Sequence, residues 1–320
     1  MDKRNGRSFK ETTALDLIET FEYPPVYGHA VPLTPLVRLL LCPNPSPMTF
    51  HGTNTYVVGT QDLAIIDPGP EDANHLSAIL SSLMPGQKIT HIIVTHSHKD
   101  HSPLAKELSA RTRAPIYAFG DATSGRSPVM KHLAQNGLAG GGEGIDHGFQ
   151  PDHVVADGDC IAGSDWSLDV LHTPGHLGNH ISLALGSLCF TGDHVMGWSS
   201  SLVSPPDGDL TDFMASCALL LNRTWDAFLP GHGAPVLSPN TRLQELVAHR
   251  RAREAAILDQ LALGAATVAE LTAAIYVETP THLLPAAERN VFAHLIDLHQ
   301  QKQVRSTSEL SSESRFERRE

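Results

Sequence analysis

The chain has 320 residues and a net charge of −12 at neutral pH, a length that predicts two domains and a charge that disfavours an unspecific grip on nucleic-acid backbone. With 41% apolar residues it can bury a core, yet no run approaches the roughly 18 uncharged apolar residues of a membrane span or forms the h-region of a secretory signal. Cys42, Cys160, Cys189 and Cys217 show no paired spacing, so neither a disulfide framework nor a cysteine zinc knuckle is indicated and a reducing cytoplasm is the expected address.

Residues 1–24 carry no pattern and read as an N-terminal extension. From 25 to 240, short β-rich runs alternate with glycine and proline, predicting strands over 55–58, 63–66, 89–95, 116–119, 168–171, 181–185 and 188–191. Helical periodicity falls between them, at Leu76, Ile79, Leu80 and Leu83, at Leu104 and Leu108, and at Phe213, Cys217, Leu220 and Leu221. That is a mixed α/β body. From 241 to 305 the texture turns helical: a long helix opened by Thr241 and Gln244 at capping-box spacing, a second over 268–276 and a third over 286–299. Residues 306–320 are polar, without periodicity, and are expected to be disordered.

The chemistry concentrates where strands end. Histidine is unusually abundant, 19 residues against 10 Phe, 3 Trp and 5 Tyr. Thr95-His96-Ser97-His98-Lys99-Asp100-His101 follows the apolar run Ile92-Ile93-Val94, and such a string is expected by chance far less than once. Imidazoles and a carboxylate crowded onto one turn need a compensating charge, and this donor set suits Zn²⁺, with Fe or Mn as other occupants. Three later segments repeat the grammar of a strand end, a glycine-bearing loop and a ligand-type side chain: His172-Thr173-Pro174-Gly175-His176, Thr191-Gly192-Asp193-His194 and Pro230-Gly231-His232-Gly233.

In their order these motifs resemble the metallo-β-lactamase superfamily over about residues 35–235. The resemblance implies a four-layer αββα sandwich and two zinc ions. His96, His98 and His176 would hold one, Asp100, His101 and His232 the other, and Asp193 would bridge them. Aspartate at 193 and histidine at 101 match the dinuclear branch that includes glyoxalase II, lactonases and zinc ribonucleases, not the antibiotic-hydrolysing enzymes. Asn44-Pro45-Ser46-Pro47, Gly52-Thr53-Asn54-Thr55-Tyr56, the 246–257 helix and Thr267-Val268-Ala269-Glu270-Leu271 are similar to the β-lactamase-like protein 2 family, with 204–209 resembling its bacterial members. That family adds a small winged-helix-like C-terminal domain, and an animal member is described as a single-strand endoribonuclease.

A metal-bridging hydroxide is therefore the expected nucleophile, oriented by Asp100, since the chain has no GxSxG elbow. The expected substrate is a small activated acyl compound, a thioester, ester or lactone; the alternative is single-stranded RNA. His180 is a candidate catalytic residue, as an oxyanion donor or a partner of the metal ligands. Thr53 and Asn54 are candidates to line the cleft beside His51, and Arg250, in the basic run His249-Arg250-Arg251, is a candidate anion clamp set against the simpler reading of a solvated face. His172 and His194 read as structural. No membrane partner is expected, and the oligomeric state is left open.

Overall fold

A computed structural model describes residues 14–138 and 144–319. The first sheet holds β1 (Val31–Pro32), β2 (Val37–Leu41), β3 (Asn54–Val58), β4 (Asp62–Ile66), β5 (Lys88–Ile93), β6 (Ile116–Ala118) and β7 (His153–Val154), side by side in chain order. Neighbours are antiparallel from β1 to β4 and parallel from β4 to β7. The second sheet holds β8 (Cys160–Ala162), β9 (Ser167–His172), β10 (Ile181–Leu185), β11 (Leu188–Gly192) and β12 (Ala227–Pro230), in the order β12-β11-β10-β9-β8. The helices are α1 (Ala14–Glu19), α2 (Ala73–Ser81), α3 (Leu104–Thr112), α4 (Pro128–Gln135), α5 (Leu210–Leu221), α6 (Pro239–Leu261), α7 (Val268–Ile275) and α8 (Leu284–Gln300).

Alternation along the strands decides the layers. In β2, Val37, Leu39 and Leu41 face the other sheet while Leu40 faces out; in β4, Ala64 and Ile66 face in while Leu63 and Ile65 face out. The inward set meets Val170, Leu183 and Phe190 of the second sheet. Outside the first sheet, α2 and α3 supply Ile79 and Leu108; outside the second, α5 and α6 supply Phe213, Cys217 and Leu243. Both faces of each sheet are covered, which is why 63–66 is a continuous apolar run. The expected αββα order results.

Four boundaries differ from the sequence reading. The segment 1–24 is more than an extension: Ile18, Phe21 and Tyr23 pack on the inter-sheet core, and Tyr23 Oη accepts from Gly233 N at 3.2 Å, while residues 1–13 lie outside the described residues. The long helix begins at Pro239, behind Ser238, so Thr241 and Gln244 lie inside it and form no cap. The reciprocal capping box belongs to α7, between Thr267 and Glu270. Finally, α6 serves both bodies, with Leu243 and Leu246 against the second sheet and Ile257 and Leu261 in the C-terminal core.

The 306–320 segment is not a disordered tail: it is structured through Arg319. Strand β15 (Arg315–Arg318) pairs antiparallel with β14 (Val304–Ser306) and with β13 (Ala266–Thr267), forming the wing of a winged helix. Its anchor is Phe316, fully buried with Phe292 and Leu295. A four-residue strand with one inward position shows no periodicity and so carries no signal. Phe316→Ala is expected to destabilise the C-terminal domain by about 3–5 kcal/mol. A thermal melt indistinguishable from wild type would contradict that anchoring.

Candidate metal centre

The two sheets meet at one end. Ile181 N, opening β10, donates to Thr95 O beyond β5 at 2.9 Å, and Asn54 N, opening β3, donates to Gly231 O beyond β12 at 2.8 Å. Loops leaving β5, β9, β11 and β12 therefore converge, carrying His96, His98, Asp100 and His101, then His176, Asp193 and His232. Their ligand atoms form two sets, His96–His98–His176–Asp193 and Asp100–His101–Asp193–His232, each within 4.8 Å of one another. Asp193 belongs to both. Its Oδ2 lies 3.6 Å from His176 Nε2 and 3.4 Å from His232 Nε2, and its Oδ1 lies 3.5 Å from His101 Nε2. Gly231 has to be glycine here: a Cβ would stand 2.5 Å from Asp193 Oδ1 and 2.7 Å from His101 Cε1.

The outer nitrogens fix which way the lone pairs point. His176 Nδ1 donates to Leu202 O at 2.8 Å, His232 Nδ1 to Gly52 O at 3.0 Å and His101 Nδ1 to Asp67 Oδ2 at 2.9 Å. Thr95 Oγ1 gives its proton to Asp67 Oδ2 and so accepts from His96 Nδ1 at 2.9 Å. As neutral rings, all four then turn a bare Nε2 inward. His96 Nε2 and His176 Nε2 each lie 3.0 Å from His98 Nδ1, and His101 Nε2 lies 3.3 Å from His232 Nε2. Lone pairs so close repel unless an electropositive atom sits among them, and Asp193 Oδ1 is buried without a hydrogen-bond partner. The donor set fits divalent cations.

Protonation follows the same logic. Burial, then the charge of His176, pushes His98 down to about 3. Burial also opposes charge on His232, but Asp193 and Asp100 more than offset it and raise its pKa to about 10. Asp193 itself is held well below the carboxylate range: its burial is outweighed by His232 and His101. Without cations, protons stand in for them between these partners.

Several residues singled out from sequence lie elsewhere. His180 is fully buried; its Nε2 accepts from Asp193 N at 3.2 Å and its Nδ1 lies 3.0 Å from Thr173 Oγ1, so it positions Asp193 and offers no proton to an oxyanion. Thr53 and Asn54 do not line the cleft. Both are wholly buried, Thr53 held by Asn44, and Asn54 Nδ2 donating to Pro230 O and Gly233 O on either side of His232. Arg250 is 3% exposed, neither a solvated face nor an anion clamp; it lies over Phe213 with its nitrogens on Ser201 O and Asn290 Oδ1. His172 stacks on Phe119 and His194 packs on Phe213, both away from the ligand sets. The residue missed is Asp67, which accepts from Thr95 N, Thr95 Oγ1 and His101 Nδ1. Asp67-Pro68-Gly69 after β4 has the same strand-end grammar as the ligands, and was legible on that ground.

Comparison with known proteins decides the family. Residues 48–248 match the metallo-beta-lactamase superfamily and residues 267–313 the beta-lactamase associated winged helix domain. The chain belongs to the metallo-beta-lactamase superfamily. Within it, the chain is 30% identical over 292 residues to a beta-lactamase-like protein 2 homolog of Drosophila melanogaster, covering 87% of this chain and 92% of that one. It is 29% identical over 285 residues to an atrochrysone carboxyl ACP thioesterase of Passalora fulva, covering 85% and 76%. A beta-lactamase domain protein from Burkholderia ambifaria shares the fold across both domains, with a TM-score of 0.76 at 22% identity over 95% of this chain and 98% of that one. The superfamily assignment makes the chain a metal-dependent hydrolase. No helix among the described residues of this hydrolase is long and apolar enough to cross a membrane.

A cavity of about 580 Å³ is walled in part by Ala234, Pro235 and Val236, which follow His232 in the chain. Tyr23, Phe50, His51, Trp198, Val236 and Leu237 line it. Phe50 holds φ at +56°, a left-handed conformation costly for a bulky residue, and stacks on Trp198 with centroids 4.9 Å apart. His51, an open question from sequence, thus faces this cavity.

Proposed function

We propose that this superfamily hydrolase carries two zinc ions and cleaves a small activated acyl substrate, a thioester first. The observation that carries the two-metal reading is the sharing of Asp193 between two sets of inward-facing donors. His96, His98 and His176 would hold one cation and Asp100, His101 and His232 the other. When bound, such a pair supplies hydroxide near neutral pH and polarises the acyl oxygen. The chain's own groups do the rest. His98 and Asp100 are the incompletely buried members of the centre, so the acyl group enters past them and Asp100 orients the attacking water.

The imidazoles support a leaving group that departs without a proton. Those of His96, His101, His176 and His232 have their outer nitrogens committed to fixed acceptors, so they do not serve as proton donors. A thiolate, whose conjugate acid has a pKa of about 8.5, departs without one. The aromatic cavity suits an apolar acyl portion, and the relative named as a thioesterase supports the same chemistry. The RNA alternative rests on the likeness of the C-terminal domain and on the basic run at Arg250; the burial of Arg250 removes the second of these and leaves the first.

The test is a panel of an acyl thioester, its oxoester, a lactone and a labelled single-stranded RNA, run on zinc-loaded protein after metal analysis. We expect two equivalents of metal and turnover fastest on the thioester. RNA cleavage with no thioester turnover would overturn the substrate reading, and full activity with one equivalent would overturn the two-metal reading.

A further inference from the structure

The C-terminal domain reaches the metal ligands through one loop. Between β11 and α5, Ser201, Leu202 and Val203 bond inward and outward at once. Inward, Ser201 Oγ lies 2.5 Å from Asp193 O and 2.8 Å from His194 O, and Leu202 O accepts from His176 Nδ1 at 2.8 Å. Outward, Ser201 O accepts from Arg250 Nη2 on α6 at 2.5 Å, and Val203 N donates to Asn290 Oδ1 on α8 at 3.3 Å. Arg250 Nη1 donates to that same Asn290 Oδ1 at 3.1 Å, tying the two contacts together.

Two of the centre's candidate ligands are thus two hydrogen bonds away from α6, which both bodies share, and from α8. The arrangement is costly. Arg250 is 3% exposed and, among the described residues, has no carboxylate at ion-pair distance; its guanidinium rests on a carbonyl, an amide and the Phe213 ring, 5.0 Å away, with Nε unpartnered. Apolar side chains pack such a junction at lower cost. What a buried guanidinium adds is direction: a rigid fork fixes the carbonyl of Ser201 and, through Asn290, the amide of Val203. The residue between those two accepts from His176.

We propose that Arg250 and Asn290 are positioning residues for the metal centre, through which the winged-helix domain sets the orientation of His176 and Asp193. The domain is then part of the catalytic unit. Asn290 is the better probe because it is the lighter change and lies on α8, far along the chain from every ligand.

The experiment compares full-length wild type, Asn290→Leu and Asn290→Asp, the last retaining an acceptor oxygen for both donors. Metal affinity is read by competition with a chromophoric chelator, the geometry by the visible spectrum of the cobalt-loaded protein, and the integrity of the fold by the melting temperature of the metal-free protein. We expect Asn290→Leu to lose about 10- to 100-fold in affinity and to alter the cobalt bands, with Asn290→Asp restoring both and the metal-free melts agreeing. Unchanged affinity and cobalt bands in Asn290→Leu would overturn the proposal. So would a loss that tracks a lowered metal-free melt and is not rescued by aspartate, which marks a packing role. None of these readouts depends on the substrate.

Discussion

Replacing Asp193 by alanine is expected to abolish turnover, by about 10³-fold or more, and to leave the protein unable to retain two equivalents of metal. This carboxylate is the member common to both donor sets, so its loss weakens two sites at once, whereas His96→Ala strikes one. Removal of metal from the wild type by a chelator should reproduce the rate loss and re-addition should reverse it. Elemental analysis and steady-state rates check both statements. An Asp193→Ala protein holding two metals with wild-type turnover would contradict them, as would full activity in the stripped protein.

The second large effect falls on a residue that touches no candidate cation position. Asp67 accepts from Thr95 N at 2.7 Å, Thr95 Oγ1 at 2.7 Å and His101 Nδ1 at 2.9 Å, while only 2% exposed. Asp67→Ala leaves the Thr95 amide and the His101 ring without acceptors in a buried place, each costing about 1–3 kcal/mol. We expect a lowered melting temperature and a further loss of about 10- to 100-fold in metal affinity, because the His101 ring is no longer held by its outer nitrogen. Asp67→Asn keeps one acceptor oxygen and should fall between. Equal melts and equal affinities across the three proteins would remove Asp67 from this role.

How much was legible depended on what kind of signal a residue emits. His96, His98, Asp100, His101, His176, Asp193 and His232 stood out because polar donors placed immediately after apolar strands have few other reasons to be there. The strands beneath them were legible for the same reason, since double-sided burial makes a continuous apolar run. Asp67 emitted the same signal, but Asp67-Pro68-Gly69 reads equally well as an ordinary turn. Thr53, Asn54 and Arg250 mark the opposite error. A polar side chain either faces substrate or serves the scaffold, and only the surroundings decide; Asn54 and Arg250 hold backbone carbonyls, and Thr53 is itself held by the Asn44 side chain. Strand β2 was missed although Leu39-Leu40-Leu41 is the same kind of continuous apolar run, and Phe316 because a lone aromatic among Arg and Glu carries no period.

The seam between the two sheets has a consequence for how the molecule comes to exist. Its backbone bonds join residue 54 to 231 and residue 95 to 181, pairs separated by much of the polypeptide. Closing so wide a loop is slow and uphill until every intervening strand is in place. A nascent chain emerging from the ribosome therefore offers the second donor set, and with it the pair, only once Gly231 and His232 have been synthesised.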